Sequence, residues 1–280
     1  MPQVEGSTSA PEVRMKPDPL VPNISGVSRA RARELRSRAE RRTDIPLRAS
    51  FVRRERADEM VPPLARLVGS GGRGGATALR LYLGIVWLAS APPFDTPQVP
   101  ARGWAELLDL EEPATKGRAR VVAALNKLEA CKLIEVNRAP GEASAIQLLH
   151  ESGTGRRYRQ IPSSAYRAAD ARRKERYLKI NTQLWINGWI QTLSAKALAM
   201  LLVILEETYG DYDQPVWWTE QIFTERFALS RATRSEGALE LSTAGLIRIK
   251  RAPVAPAGAV FAQHKVRNTY VLTERATPAA

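Results

Sequence analysis

Ser230 to Ile249 reads SRATRSEGALELSTAGLIRI. Ser230 follows Leu229 at a turn and carries the hydroxyl that caps a helix start. Residues 231–243 then read as a helix with Leu239 and Leu241 among its apolar positions. Leu246-Ile247-Arg248-Ile249 reads as a strand. Upstream, Ser194 is a second cap, for a helix through about Tyr209 with Leu198, Leu201, Leu202 and Leu205 on one face. Gly210–Pro215 is a loop, and Trp217 precedes a short helix holding Trp218, Ile222 and Phe223. Downstream, Phe261 and Tyr270-Val271-Leu272 supply a returning strand after a long connection. The order is helix, short helix, longer helix, two-stranded hairpin.

That order occurs once more, earlier in the chain. Leu79, Leu83, Val86 and Trp87 recur at helical spacing over 76–90, and Pro92, Pro93 and Pro97 make the next stretch a loop. A short helix follows at about 101–108 with Trp104, Leu107 and Leu108. A longer one follows at about 115–130 with Val121, Val122, Leu125 and Leu128. Leu133-Ile134-Glu135-Val136 is a strand, Pro140-Gly141 a turn, and Ala145–Leu149 the return. Local words repeat as well. Trp104-Ala-Glu106-Leu-Leu108 matches Trp218-Thr-Glu220-Gln-Ile222, and Leu128 with Leu133-Ile134 matches Leu241 with Leu246-Ile247 at the same spacing. Lys132 stands where the second copy has Gly245, a position that favours Gly or Asn.

Across 76–150 and 194–273 the chain resembles winged helix-turn-helix proteins. The phrase ending Gly245-Leu246-Ile247 is similar to their junction between recognition helix and wing. The whole resembles the tandem winged-helix proteins that include bacterial plasmid replication initiators. That resemblance implies binding at iterated origin repeats and repression of the protein's own gene, and transcription regulators share the module. The expected fold is mainly α with small β-hairpins (α+β): two tandem winged helix-turn-helix domains, at 76–150 and 191–273, and a short tail at 274–280.

The candidate reading surfaces are the early turns of the two longer helices. Thr115, Lys116, Arg118 and Arg120 stand in the first copy; Ser230, Arg231, Thr233 and Arg234 stand in the second. Arg can bond guanine O6 and N7 together, Thr can touch a thymine methyl or hold a phosphate, and a helix N-terminus favours phosphate. The plainer reading of these residues is ordinary helix surface. The hairpins add Arg138 near the first tip and Lys250, Arg251, Lys265 and Arg267 around the second, where a flexible loop in solvent is the alternative.

The charge is unevenly spread. There are 42 Lys and Arg against 29 Asp and Glu, for a net +13, which favours an anionic partner. Residues 1–60 carry net +4 and residues 151–190 net +6. The first segment reads as a disordered or partly helical basic arm, with RARARELRSRAERR at 29–42 suited to phosphate or simply to solubility. Residues 61–75 read as a Pro/Gly linker; GSGGRGG there lacks the Lys-Ser/Thr ending of a phosphate loop. Residues 151–190 read as a basic connecting segment in which Arg156, Arg157, Arg172, Arg173 and Lys174 could cross a phosphate backbone, with Ala165–Tyr177 helical. Trp185 and Trp189, among Leu and Ile, read as core packing rather than a base-stacking platform.

Other classes are disfavoured. A single cysteine, Cys131, allows no internal disulfide and no multi-cysteine zinc site, and reads as buried structure. His150 and His264 are far apart in sequence. Glu111-Glu112 and Glu206-Glu207 are adjacent and so do not share a helix face. Neither a catalytic group, a cofactor nor a metal is expected. The chain opens on Met-Pro-Gln and polar residues, and its longest apolar run, Ala197 to Leu205, is about half a membrane span. The expected setting is cytoplasmic and nucleoid-associated, with double-stranded DNA as partner, replication or transcription machinery recruited there, and no membrane. Two modules in one chain cover two half-sites; a homodimer would carry four. Transcriptional regulation is the first expectation. A plasmid- or phage-type replication initiator and a protein–protein scaffold are the alternatives.

Overall fold

The structure, a computed structural model, describes residues 21–39, 43–69, 74–138, 143–161, 176–208, 210–253 and 266–278. The chain is α+β, with helices dominating and strands confined to small antiparallel pairs. In order, the elements are α1 (Gly26–Arg38), β1 (Asp44–Arg48), α2 (Pro63–Gly69), α3 (Gly74–Leu88), α4 (Ala101–Leu107) and α5 (Lys116–Ala130). There follow β2 (Ile134–Asn137), β3 (Ala145–Leu148), β4 (Tyr177–Asn181), α6 (Gln183–Ile186), α7 (Trp189–Thr192) and α8 (Ala195–Glu207). The chain continues with α9 (Glu220–Phe227), α10 (Arg231–Thr243), β5 (Ile247–Pro253) and β6 (Val266–Leu272).

The two repeated segments share their element order and much of their packing, although α4 packs closely on α5 whereas α9 does not pack closely on α10. In the first, α4 and α5 pack together, α5 packs on α3, and β2 pairs with β3. In the second, α10 packs on α8, and β5 pairs with β6 over seven residues from Ile247↔Leu272 to Pro253↔Val266. A further likeness was not anticipated from the sequence. The loop after the first helix of each unit adds a one-residue bridge to the returning strand: Asp95↔Gln147 and Val216↔Tyr270. At the first, Leu148 N–H donates to the Phe94 carbonyl and Thr96 N–H to the Ile146 carbonyl, both at 2.9 Å; at the second, Val216 and Tyr270 exchange both bonds, each at 2.9 Å. A single bridge carries no alternation for a sequence to display.

The long-helix ends are also matched. Lys132 and Gly245 both adopt positive φ, +56° and +70°. The next N–H, of Leu133 or Leu246, reaches back to Leu128 or Leu241 at 3.1 and 2.9 Å. This left-handed turn satisfies the last carbonyls of each helix and sends the chain into the hairpin. Lysine takes the conformation although its Cβ makes it unfavourable.

Three segments differ from their sequence expectations. Within the basic arm, α1 is a docked helix. Ser25 caps it by accepting the Ser28 N–H, Ala32 and Leu35 are buried, and the Ser28 hydroxyl donates to the Leu107 carbonyl at 2.8 Å. Its Arg-rich face hides an i, i+3 apolar pair at Ala32 and Leu35. Next, β1 pairs antiparallel with β4, from Asp44↔Asn181 to Arg48↔Tyr177. Finally, much of the linker is α2. Pro63, Leu64, Ala65 and Leu67 are buried there, and Lys127 Nζ donates to the Leu67 carbonyl at 2.8 Å. In the connecting segment, Tyr177 opens a strand rather than closing a helix, and Arg176 is buried in an ion pair with Glu206.

These additions place the two units around a continuous buried core instead of two separate ones. Ile45 and Leu47 of β1 and Leu178 and Ile180 of β4 are buried within it. Phe51 stacks on Tyr82 at 4.8 Å, and Trp87 of α3 stacks on Trp185 of α6 at 6.1 Å. Trp185 and Trp189 are core residues, as read from sequence, although they sit on separate four-residue helices. Cys131 is buried at the end of α5, where its carbonyl accepts Arg66 at 3.1 Å.

Candidate nucleic-acid interface

On α10, Ser230 is the cap: its hydroxyl oxygen accepts the Thr233 N–H at 3.1 Å. Thr233 is buried with its hydroxyl 3.0 Å from that of Ser230, so it fixes the helix start and is removed from the contacting set. Arg231 is exposed one residue past the cap. Arg234 turns back onto the protein. Its guanidinium lies 5.6 Å above the Phe223 ring and 3.5 Å from the Trp218 carbonyl. The outer face therefore presents Arg231, Ala232, Ser235, Glu236 and Leu239; Leu239, assigned from sequence to the apolar side, is 66% exposed.

On α5 the N-terminus is built differently. Thr115 occupies the cap position without capping, and its hydroxyl donates instead to Glu112 Oε2 at 2.9 Å. Lys116 Nζ pairs with Glu112 Oε1 at 2.6 Å, which holds the Glu112 carboxyl below its ordinary range. Thr115 therefore does not play at α5 the part that Ser230 plays at α10, and Lys116 is engaged by an acidic neighbour. Arg118 is exposed and Arg120 half-buried. Ala119, Val122, Ala123 and Asn126 complete the outer face; Val122, assigned to the apolar side, is 44% exposed. At Gly117 a Cβ would lie 3.1 Å from the Glu111 and Glu112 carbonyl oxygens, a tight contact that favours glycine.

The hairpin residues divide similarly. Arg138 Nη2 reaches Glu129 Oε2 at 2.5 Å and Asn126 Oδ1 at 3.1 Å, bracing the first hairpin against α5. Glu129 is held below its ordinary carboxylate range, first by this hydrogen bond. On the second hairpin Arg251 is exposed. Arg267 is half-buried, with its guanidinium 3.5 Å from the centre of the Trp217 ring. Register sets Arg248 and Lys250 of β5 on the same face as Arg267, opposite Val271 and Thr269. Sequence reading missed Trp217 and Arg248 as parts of this cationic face, although the alternation of Arg248 and Lys250 signalled it.

Arg156 and Arg157 are exposed where the chain extends the first hairpin, His150 N–H donating to the Arg156 carbonyl at 2.8 Å. Arg172, Arg173, Lys174 and Lys265 lie outside the described residues, as do Phe261, His264 and the Pro140-Gly141 turn. On α1, Arg33, Arg36 and Arg38 are exposed opposite the docked face.

Among the described residues no three His, Cys, Asp or Glu side chains are grouped to hold a metal ion. Among them, too, no helix is long and apolar enough to cross a membrane. No protein-family model, curated protein or solved structure matches the chain.

Proposed function

We propose that the chain is a sequence-specific double-stranded DNA-binding protein built on two tandem winged helix-turn-helix units, with α5 and α10 reading the major groove. The observation that carries this reading is the repeated arrangement itself. Each unit sets a helix behind a shorter one, presents it outward with an exposed arginine near its start, and follows it with a hairpin tied to the loop after the unit's first helix. Small side chains on the α5 face, Ala119 and Ala123, permit the close approach that base edges require. Arg248, Lys250 and Arg251 on the second hairpin, and Arg33, Arg36 and Arg38 on α1, supply charge for the phosphate backbone.

A continuous core joins the two units, so on this reading their half-sites are expected at one spacing. Selection of bound duplexes from a random pool tests the reading. Enrichment of one motif with two half-sites at constant spacing supports it. Recovery of unrelated sequences in proportion to their abundance contradicts it. Mapping that motif on the genome then separates a promoter-bound transcription regulator from an initiator at origin repeats.

A protein–protein scaffold is the second reading, favoured by one observation. Leu239 and Ile222 are exposed, at 66% and 39%, and Glu236 shares the outer face of α10. An exposed leucine beside a glutamate suits a protein surface better than a phosphate backbone. A chain that binds no duplex at low salt, with or without Leu239→Ser, would favour this second reading.

A further inference from the structure

We propose that the cavity between α1 and α4 binds a small amphipathic carboxylic acid. The cavity has a volume of about 310 Å³. It exists because α1 docks on α4; without α1 the same surface would be an open flank. That volume lies at the small end of ligand sites, enough for a compact organic acid.

The walls are apolar and the rim is rich in donors. Leu35, Leu88, Trp104 and Leu107 form the apolar lining. Arg31, Arg38 and Arg102 stand at the rim with Glu34 and Glu106. Both carboxylates are already occupied. Glu106 Oε1 accepts Arg102 Nε–H at 2.8 Å, and Oε2 accepts Arg31 at 3.0 and 2.9 Å. Glu34 accepts Arg31 at 2.8 Å and Arg38 at 3.1 Å. Arginine carries five N–H donors. Among the described residues Arg102 spends only Nε and Arg38 only Nη2, and both side chains are mostly exposed. Trp104 is buried, and its indole N–H has no acceptor among the described residues.

Among the described residues the site therefore has donors to give, few acceptor positions left, and one more cation than anion around an apolar lining. A ligand that matches it carries an anionic acceptor at one end and a hydrocarbon or aromatic body at the other. A cationic ligand would meet carboxylates already committed to arginine. Trp104 also borders a hollow of about 80 Å³ beside Val122, Leu125 and Val136. That hollow is too small for such a ligand, and Arg138 at its edge is held by Glu129. The binding itself does not depend on the DNA-binding reading.

The test is calorimetric titration of the full chain with phenylacetate and hexanoate, alongside their neutral amides phenylacetamide and hexanamide. The expected result is saturable binding of at least one acid, with its amide at least tenfold weaker. Arg38→Ala with Arg102→Ala should weaken the acid at least fivefold, and both are rim substitutions that leave the apolar lining in place. Leu88→Trp, which fills the cavity, should abolish the binding; unchanged helix content by circular dichroism keeps that variant interpretable. Absence of saturable binding by either acid overturns the proposal. So does an amide that binds as well as its acid, or an affinity unchanged in the double arginine variant.

Discussion

Arg48 and Glu151 stand 103 residues apart in the chain and meet as a fully buried ion pair, Nη1 to Oε2 at 2.6 Å. Arg48 Nη2 also donates to the Arg159 carbonyl at 2.7 Å, and its guanidinium lies 5.1 Å from the centre of the Tyr158 ring. Burial pushes the Glu151 carboxyl up, against the pull of Arg48. The pair fastens the strand after α1 to the end of the first hairpin unit. Removing one partner leaves the other charged and dry. Glu151→Ala should cost about 3–5 kcal/mol of stability, whereas Arg48→Met with Glu151→Leu should cost far less. Urea unfolding of the three chains checks this; equal losses in the single and double variants would show that the charge is not the cause.

Lys132 is strained and Gly245 is not, although they hold the same place. A left-handed lysine costs about 1–2 kcal/mol, and glycine gives back about 0.5–1 kcal/mol through its freer unfolded chain. Lys132→Gly should therefore stabilise the protein by about 0.5–1 kcal/mol. The readout is a higher urea midpoint with an unchanged slope. A lower midpoint would mean that the lysine stem supplies more by packing beside Gly155 than its backbone loses.

Docking of α1 should depend on pH. Glu106 is held below its ordinary value of 4.5, first by Arg102 and then by Arg31, and Glu34 is lowered by Arg31. A depressed carboxylate contributes stability above its unfolded value and loses it as pH falls through its folded value. Amide exchange of α1 should thus rise relative to α8 as pH drops below about 4.5, after correction for the intrinsic rate. Glu151, shifted the other way, contributes with opposite sign: its share is present at low pH and lost as pH rises through its folded value. Equal protection changes in α1 and α8 would contradict a local acid response.

Arg231 and Arg234 should separate by phenotype. Arg231 is exposed at the start of α10, whereas Arg234 lies over Phe223 and reaches the Trp218 carbonyl. Arg231→Ala should leave thermal stability within about 0.5 kcal/mol of the parent. Arg234→Ala should lower it by about 1 kcal/mol through lost stacking and hydrogen bonding. Melting curves decide the matter; an Arg231 variant that melts earlier than the Arg234 variant would reverse the assignment.

The repeated helices and hairpins were legible because their residues carry local patterns. Leu198, Leu201, Leu202 and Leu205 keep helical spacing, and Ser194 and Ser230 cap where a hydroxyl before an apolar run predicts it. The N-terminal elements were hidden by composition. In α1 the buried apolar side chains are Ala32 and Leu35, set among five arginines, so the basic face outweighed the buried one. The β1–β4 pair joins residues more than a hundred positions apart, and no local signal announces such a pairing. At the candidate interface, residue type suggested candidates but not how each side chain packs. Thr233, Arg138 and Arg234 have contact-competent side chains that the fold spends internally, and only their neighbours in space reveal it.

The most direct measurement of the central claim is the affinity of the Arg118→Ala, Arg231→Ala chain for an enriched duplex and for its scrambled counterpart, at matched salt. Two base-reading arginines predict a loss of at least tenfold on the enriched duplex and little change on the scrambled one. Equal losses on both would place the arginines on phosphates, and unchanged affinity on the enriched duplex would contradict the assignment of α5 and α10 as the reading helices.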